Sequence, residues 1–252
     1  MLWMLHQRRD HEPTYEGRTL SHWLKTAMDN RYTGDAAMAK QATNAVHHIG
    51  TNGLPWLVKW LDCEIPKWRD DLAERLPRQA FVHPRLARPL LGPDGTRLWL
   101  GITGFEILGE EAAPALPALI ALAGNWESDD RSAGVLIALA HLGNSGSTSL
   151  VSVVTSNSVP TRQRITAARM LAVPFAGPRT NLTWAIPALA QCAGDTQISK
   201  SVADTLVELA KQSPDVTPRL LDACSNTDAM TRQGATNALR LIAPQALRED
   251  SR

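Results

Sequence analysis

Hydrophobic residues recur along the chain with the spacing of short amphipathic helices. The clearest stretch is FEILGEEAAPALPALIALAGN, residues 105–125. It predicts the end of one helix, a turn at Gly109, and a second apolar helix opened by Pro114 and Pro117. Weaker copies surround Gly50 and Gly143. The pattern therefore predicts pairs of helices that meet at a glycine, where a left-handed residue closes the last helical turn.

The residues predicted to face the core lie seven, ten and eleven positions after each turn glycine. Offsets of three and four place such side chains on one stripe of a helix. The three sets are Leu57, Trp60 and Leu61; Leu116, Leu119 and Ile120; and Leu150, Val153 and Val154.

A second repeated feature is a basic residue that opens a helix, followed three positions later by a small residue. The basic residues are Arg131, Arg164, Lys200 and Arg232, at spacings of 33, 36 and 32, and the small ones are Gly134, Ala167, Ala203 and Ala235. Small side chains let two helices approach closely. Two helices in each period of this length are typical of a helical repeat array, whose pairs stack to share a core.

With its basic first turn, small residues, Leu-Gly turn and Leu-Pro-Ala-Leu second helix, this pattern resembles HEAT repeats. The resemblance covers most of residues 36–247. It implies an all-α fold, a right-handed α-solenoid of about five to six HEAT-type hairpins. We expect residues 1–16 to form a loose or extended arm, 17–247 a single solenoid and 248–252 a frayed tail. HEAT arrays serve many unrelated roles, so the fold does not define an activity.

The box EPTYEGRTLSHWL, Glu12 to Leu24, resembles the opening box of a group of uncharacterised bacterial HEAT-repeat proteins. It predicts a helix opened by Thr19 or Ser21 that caps the array. In that group the box commonly follows a short membrane anchor, whereas here only MLWMLHQRR precedes it. Either this chain lacks the anchor or it begins inside it.

Residues 64–98 break the period, because Gly50 and Gly109 are separated by one repeat and about 25 extra residues. Five prolines predict that this insert is cut into short helices and turns. Further along, STSLVSVVTS has the propensity of a strand, but its place in the repeat predicts a helix.

Composition narrows the function classes. The chain has 20% charged residues and a net charge of +1, which argues against a dedicated nucleic-acid binder. Its three cysteines are scattered, so neither a disulfide framework nor a zinc ribbon is indicated. We expect Cys192 and Cys224 to pack as buried apolar groups. No run of 18 apolar residues predicts a membrane span.

The sequence carries none of the phosphate-loop, zinc-protease, serine-hydrolase or dinucleotide-binding motifs. His47 and His48 are adjacent on a predicted helix and point to different faces, so they cannot chelate one metal together. Carboxylate pairs such as Glu110-Glu111 lie at helix starts, where the helix dipole favours them. We therefore expect no catalytic, metal or cofactor site.

Two features suggest a protein partner. Trp56 falls at the edge of the predicted core stripe, where it either packs on the insert or serves as an aromatic anchor. Basic side chains dominate residues 75–97, and acidic ones residues 106–130. These segments either neutralise each other or the basic one docks an acidic partner. The candidate partner-binding residues are Arg75, Arg78, Arg85, Arg88 and Trp56.

These observations favour a non-enzymatic protein-binding scaffold with the insert as its specific element. One alternative is a HEAT-like lyase or chaperone-type enzyme subunit, which would need a polar cluster on the concave face. A second alternative is a nucleic-acid-binding HEAT-like protein. That would need Lys and Arg repeated along several second helices, and ALPALIALA and STSLVSVVT contain none.

Overall fold

The computed structural model describes residues 11–62, 84–124, 129–173 and 182–245, with the backbone alone at 32–33, 84–95 and 129–130. This part is all-α apart from one hairpin of β1 (Thr14–Tyr15) and β2 (Arg18–Thr19). The helices are α1 (Leu20–Thr33), α2 (Ala36–Ile49), α3 (Leu54–Leu61), α4 (Pro84–Leu108), α5 (Leu116–Ala123), α6 (Asp129–Ala140), α7 (Gly143–Thr155), α8 (Thr161–Ala172), α9 (Ile186–Gly194), α10 (Ser199–Gln212), α11 (Val216–Cys224) and α12 (Ala229–Ile242). Short 3₁₀ helices span Gly50–Gly53, Gly109–Ala115 and Thr183–Ala185. The all-α prediction is confirmed, as is the helix over STSLVSVVT.

The three predicted turn glycines share one backbone feature. Their φ angles are +54° at Gly50, +53° at Gly109 and +57° at Gly143. L-residues with a side chain rarely adopt such angles, so glycine is the residue that fits each turn. Helices α2 and α4 end directly before the first two. The predicted turn positions are confirmed.

The chain divides into two compact units, Met1–Leu142 and Gly143–Arg252. In the first unit α1 packs on α2, α3 on α4 and α5 on α6, and α4 also contacts α1, α2 and α6. The core of this unit is formed by fully buried large side chains. They are Leu20, Trp23, Leu24, Leu57, Leu61, Phe105, Leu119, Leu136, Leu139 and Leu142.

The second unit has helical-repeat character. Helices α7, α9 and α11 contact one another in sequence, as do α8, α10 and α12, and the two layers meet most extensively where α9 packs on α12. Hydrogen bonds cross between neighbouring repeats. The Thr205 hydroxyl donates to the Ala168 carbonyl at 2.9 Å, and the Gln212 side-chain amide donates to the Ala172 carbonyl at 3.1 Å.

The small residues predicted at helix contacts are buried at Gly134, Ala167, Ala203 and Ala235. Gly134 shows why size matters, since a Cβ atom there would lie 2.6 Å from Cδ1 of Leu98. All four positions are therefore confirmed as buried, and Gly134 is a place of close approach between side chain and backbone.

One part of the predicted core stripe is wrong. Ile120 is 50% exposed, whereas its neighbour Leu119 is fully buried. The cause is the 3₁₀ segment Gly109–Ala115, which turns by about 120° per residue where an α-helix turns by about 100°. The aligned segment after Gly50 has four 3₁₀ residues and this one has seven, so the three extra ones rotate the following helix by roughly 60° and the buried positions shift. They become Ala112, Ala115, Leu119 and Ala123.

The prediction that prolines cut residues 64–98 into short pieces is wrong for the part that the structure describes. Helix α4 begins at Pro84 and continues through Pro89 and Pro93 to Leu108. An interior proline removes one backbone hydrogen bond and can bend a helix without ending it. Residues 64–83 and the predicted tail 248–252 lie outside the described residues.

Within the predicted loose or extended arm, residues 11–16 include the extended strand β1. Glu16 and Gly17, with φ of +49° and +72°, form a two-residue turn that pairs Tyr15 with Arg18. Positive φ at both central residues is typical of the tight turn that suits a hairpin. The Tyr15 ring stacks on His48 of α2, with centroids 4.7 Å apart.

The rest of the EPTYEGRTLSHWL box caps α1. The Glu12 carboxylate accepts from the Ser21 amide at 3.0 Å, and the Thr19 hydroxyl accepts from the amide of His22 at 3.3 Å. The Trp23 indole N–H donates to the Tyr15 carbonyl at 3.0 Å. Because the box satisfies amides that a helix start leaves without partners, its residues have a structural role in this chain.

Candidate functional site

Trp56 lies at the outer edge of α3 and is half-buried. Its ring is held on two sides by neighbours one turn away on the same helix. The Lys59 ammonium lies 5.0 Å from the ring centroid, and the buried Trp60 ring lies 6.3 Å away at a tilt of 55°. A tryptophan that is restrained and still accessible can contact a partner with little loss of side-chain freedom.

The opposite face of α3 explains this orientation. Leu57 and Leu61 are fully buried against α4, where two glycines leave room for them. A Cβ at Gly104 would overlap the Leu57 side chain, and one at Gly101 would lie 3.2 Å from Cδ2 of Leu61. Because Leu57 and Leu61 face the core, helical spacing places Trp56 at the margin of the buried face.

The structure does not describe the side chains of the predicted arginine cluster. Arg75 and Arg78 fall among residues that the structure does not describe, and at Arg85 and Arg88 only the helical backbone of α4 is described. Their role in partner binding stays a prediction. Trp68 and Cys63 also lie outside the described residues.

Two acids of the segment 106–130 contact side chains of α1 and α2. Nη1 of Arg31 donates to both carboxylate oxygens of Glu106 at 2.9 and 2.8 Å. Nδ1 of His47 lies 3.2 Å from the Glu111 carboxylate. The Glu106 charge is therefore compensated by Arg31 of α1, and Glu111 has a hydrogen-bonding neighbour on α2. His47 and His48 point apart as predicted, one toward Glu111 and the other onto Tyr15.

A second ionisable group lies beside the Arg31–Glu106 pair. Burial lowers the pKa of His141, Arg31 lowers it further, and Glu106 acts in the opposite direction. The neutral imidazole is thus favoured in the folded chain. This cluster is a partly buried charge network whose state depends on pH.

In the second unit, the Arg164 side chain forms a largely buried ion pair with Asp195. Its Nε donates to the Val154 carbonyl at 2.9 Å, and its Nη1 lies 3.1 Å from Oδ2 of Asp195. The Cys192 thiol points at the same carbonyl, at 3.7 Å. Burial raises the pKa of this thiol, although Arg164 opposes the shift. Cys192 is therefore buried as predicted, and Cys224 is half-buried.

Sequence reasoning missed a polar groove on α12, the last described helix. It is open and has a volume of about 490 Å³. We call it the Arg232–Arg240 groove, and its lining side chains come from α12 with one from α11. The lining residues are Cys224, Ala229, Arg232, Gln233, Thr236, Asn237 and Arg240. The sequence signal that could have indicated it is the spacing of four residues between Arg232, Thr236 and Arg240. It was missed because only the buried face of this helix was considered.

Within the described ranges, no three His, Cys, Asp or Glu side chains converge in a way that could hold a metal ion. No described helix has the length and apolar character needed to cross a membrane. Comparisons with protein-family models, with curated proteins and with solved structures gave no match.

Proposed function

We propose that this chain is a non-enzymatic protein-binding scaffold, a right-handed α-solenoid of about five to six HEAT-type hairpins. Three observations support the repeat architecture. The turn glycines share one backbone conformation, small residues recur where helices meet, and the second unit has two layers of successively packed helices. Stacked hairpins of this kind present extended surfaces that proteins use for binding.

Trp56 is the observation that carries the proposed binding role. Tryptophan is enriched among residues that dominate binding energy at protein interfaces. In this chain it is half-buried, braced by Lys59 and Trp60, and placed on the second helix of a hairpin. The partner contacting Trp56 would gain a large apolar area without ordering a loose side chain.

A comparative pull-down tests the proposal. The full chain and its Trp56→Ala variant are used to capture proteins from a lysate of the source organism, followed by quantitative mass spectrometry. We expect a defined set of proteins to be retained by the wild type and lost with Trp56→Ala. Trp184→Ala is the matched control, because Trp184 is 52% exposed and lies in the other unit.

Melting curves of both variants accompany the capture, so that lost binding is not confused with unfolding. Captured proteins that remain unchanged with Trp56→Ala would refute a role for this tryptophan. An absence of any specifically captured protein would count against the scaffold itself.

A further inference from the structure

The exposed side of α12 carries two parallel rows of side chains. Its buried positions, among them Gly234, Ala235 and Leu239, face the rest of the second unit. On the other side, residues four apart form ridges along the helix. One ridge is Arg232, Thr236 and Arg240, and the neighbouring one is Ala229, Gln233, Asn237 and Leu241.

The two arginines lie at either end of the first ridge. Eight residues separate them, which corresponds to about 12 Å along the axis. No Asp or Glu is among the residues that line the groove. Asp228 interacts electrostatically with Arg232, and its carboxylate accepts hydrogen bonds from the Thr231 amide and hydroxyl at 2.8 and 2.7 Å.

The guanidinium of Arg232 is oriented before any ligand arrives. Its Nη1 donates to the carbonyls of Asn226 at 2.8 Å and Thr227 at 2.7 Å. Its Nε and Nη2 groups have no hydrogen-bond partner among the described residues. Arg240 is held less tightly, since its Nη1 lies 3.3 Å from Oδ1 of Asn237. A pre-oriented guanidinium binds a carboxylate with less loss of side-chain entropy.

We propose that the Arg232–Arg240 groove binds an acidic peptide segment of a protein partner through two carboxylates about 12 Å apart, the span of two helical turns. Each carboxylate pairs with one guanidinium. An extended peptide rises by roughly 3.3 Å per residue, so acidic residues four positions apart match this spacing. The inference rests on the proposed function only in taking a protein as the partner.

The side chains between the arginines favour a peptide over a nucleic acid. The amides of Gln233 and Asn237 can both donate and accept, as the backbone of a peptide requires. Leu241 is 61% exposed at the end of the same ridge and offers an apolar contact to a peptide side chain. Nucleic-acid binding would require a longer series of cations tracking the phosphates.

The test begins with selection of short random peptides, displayed on phage, against the full chain. We expect the recovered peptides to carry two acidic residues about four positions apart. A labelled synthetic copy is then titrated with the full chain and followed by fluorescence anisotropy. Arg232→Gln and Arg240→Gln should each weaken its binding by about tenfold or more, the usual effect of losing a charged hydrogen bond.

Two further variants sharpen the result. Arg219→Gln removes an exposed arginine of α11 that does not line the groove, and we expect it to leave binding unchanged. Arg240→Lys keeps the charge but loses the planar donor pair, so its binding should be intermediate. Unchanged melting temperatures would show that the variants remain folded.

Recovery of no acidic peptide, or binding by the Arg232→Gln and Arg240→Gln variants as tight as that of the wild type, would overturn the proposal. Displacement of the peptide by duplex DNA or inorganic phosphate at equal concentration would instead assign the groove to phosphate. Failure here leaves the Trp56-dependent capture unaffected, because the two surfaces belong to different units.

Discussion

Gly234 of α12 packs directly on the backbone carbonyl of Ala190 in α9. A Cβ atom at position 234 would overlap the Ala190 oxygen and would lie 2.8 Å from the Gly194 amide nitrogen. The contact is reciprocal, since a Cβ at Gly194 would lie 2.6 Å from the Met230 carbonyl oxygen. Two helices can approach this closely only where neither carries a side chain.

We predict that Gly234→Ala lowers the free energy of unfolding by about 1–3 kcal/mol, the usual cost of overpacking. Urea denaturation followed by circular dichroism measures the effect. Gly124→Ala is the control, because its nearest neighbour would be the Ala121 oxygen at 3.4 Å and its φ is −64°. That variant should be neutral or slightly more stable. Equal effects of the two substitutions would contradict the close packing of α9 and α12.

Leu119 and Ile120 provide a second matched pair. Leu119→Ala should cost roughly 2–5 kcal/mol of stability, since the side chain is fully buried. Ile120→Ala should have an effect of about 0.5 kcal/mol or less, because half of the side chain is already in water. Denaturant titrations of both variants test whether Leu119 is buried and Ile120 is exposed as described.

The comparison of Leu119 with Ile120 also shows where sequence reasoning succeeds. Turn glycines and small contact residues are local requirements of backbone angle and space, so counting residues located them. The identity of the buried neighbour depends on whether the preceding seven residues turn with an α or a 3₁₀ pitch. The alignment assumed the same backbone geometry after each turn glycine, and it therefore placed Ile120 in the core.

The candidate sites were predicted less well, for a related reason. Trp56 was singled out because it is a large aromatic residue at the edge of the predicted core stripe. Arg232 was interpreted only as the start of a helix, and the ridge it forms with Arg240 was missed. An outward-facing row of polar side chains is not marked by apolar periodicity. It can be located only once the buried face of the same helix is known.

His141 predicts a dependence of stability on pH. Burial is the main cause that lowers the pKa of this group from its ordinary value of 6.5. As pH falls through 6.5, His141 becomes protonated in the unfolded chain but stays neutral in the folded chain. The unfolded state then binds more protons, so the stability present above this window decreases as pH falls.

Thermal melts between pH 7.5 and about 5 would measure this loss of stability. His141→Gln should reduce the slope, because glutamine does not titrate. Asp228, whose pKa the hydrogen bonds of Thr231 lower from 3.8, contributes below this range. A melting temperature that rises as the wild type is acidified would have the wrong sign for a buried neutral His141.

Nucleic-acid binding is expected to be weak. Random duplex DNA near physiological salt should bind no more tightly than non-specific association, about 10⁻⁴ to 10⁻⁶ M. The chain has a net charge of +1, and α5 carries no Lys or Arg. A fluorescence anisotropy titration that gave nanomolar affinity would overturn the protein-binding proposal in favour of the nucleic-acid alternative.

The arginine cluster gives the last prediction. Changing Arg75, Arg78, Arg85 and Arg88 together to Ser should abolish capture of a partner and leave helix content and melting temperature nearly unchanged. The reason is that planar guanidinium groups recognise carboxylates in pairs, whereas serine retains neither charge nor geometry. Circular dichroism and quantitative pull-down are the measurements, with Arg169→Ser and Arg219→Ser in the second unit as a double control.

The outcomes separate three roles for this cluster. Unfolding of the quadruple variant would make the arginines structural. A folded variant that retains every captured protein would remove them from the interface and leave the surface at Trp56 as the binding element. The third outcome is that the quadruple variant and Trp56→Ala each stay folded and each lose the same captured protein. The arginines and Trp56 would then both contribute to binding that protein, because either change alone is sufficient to release it.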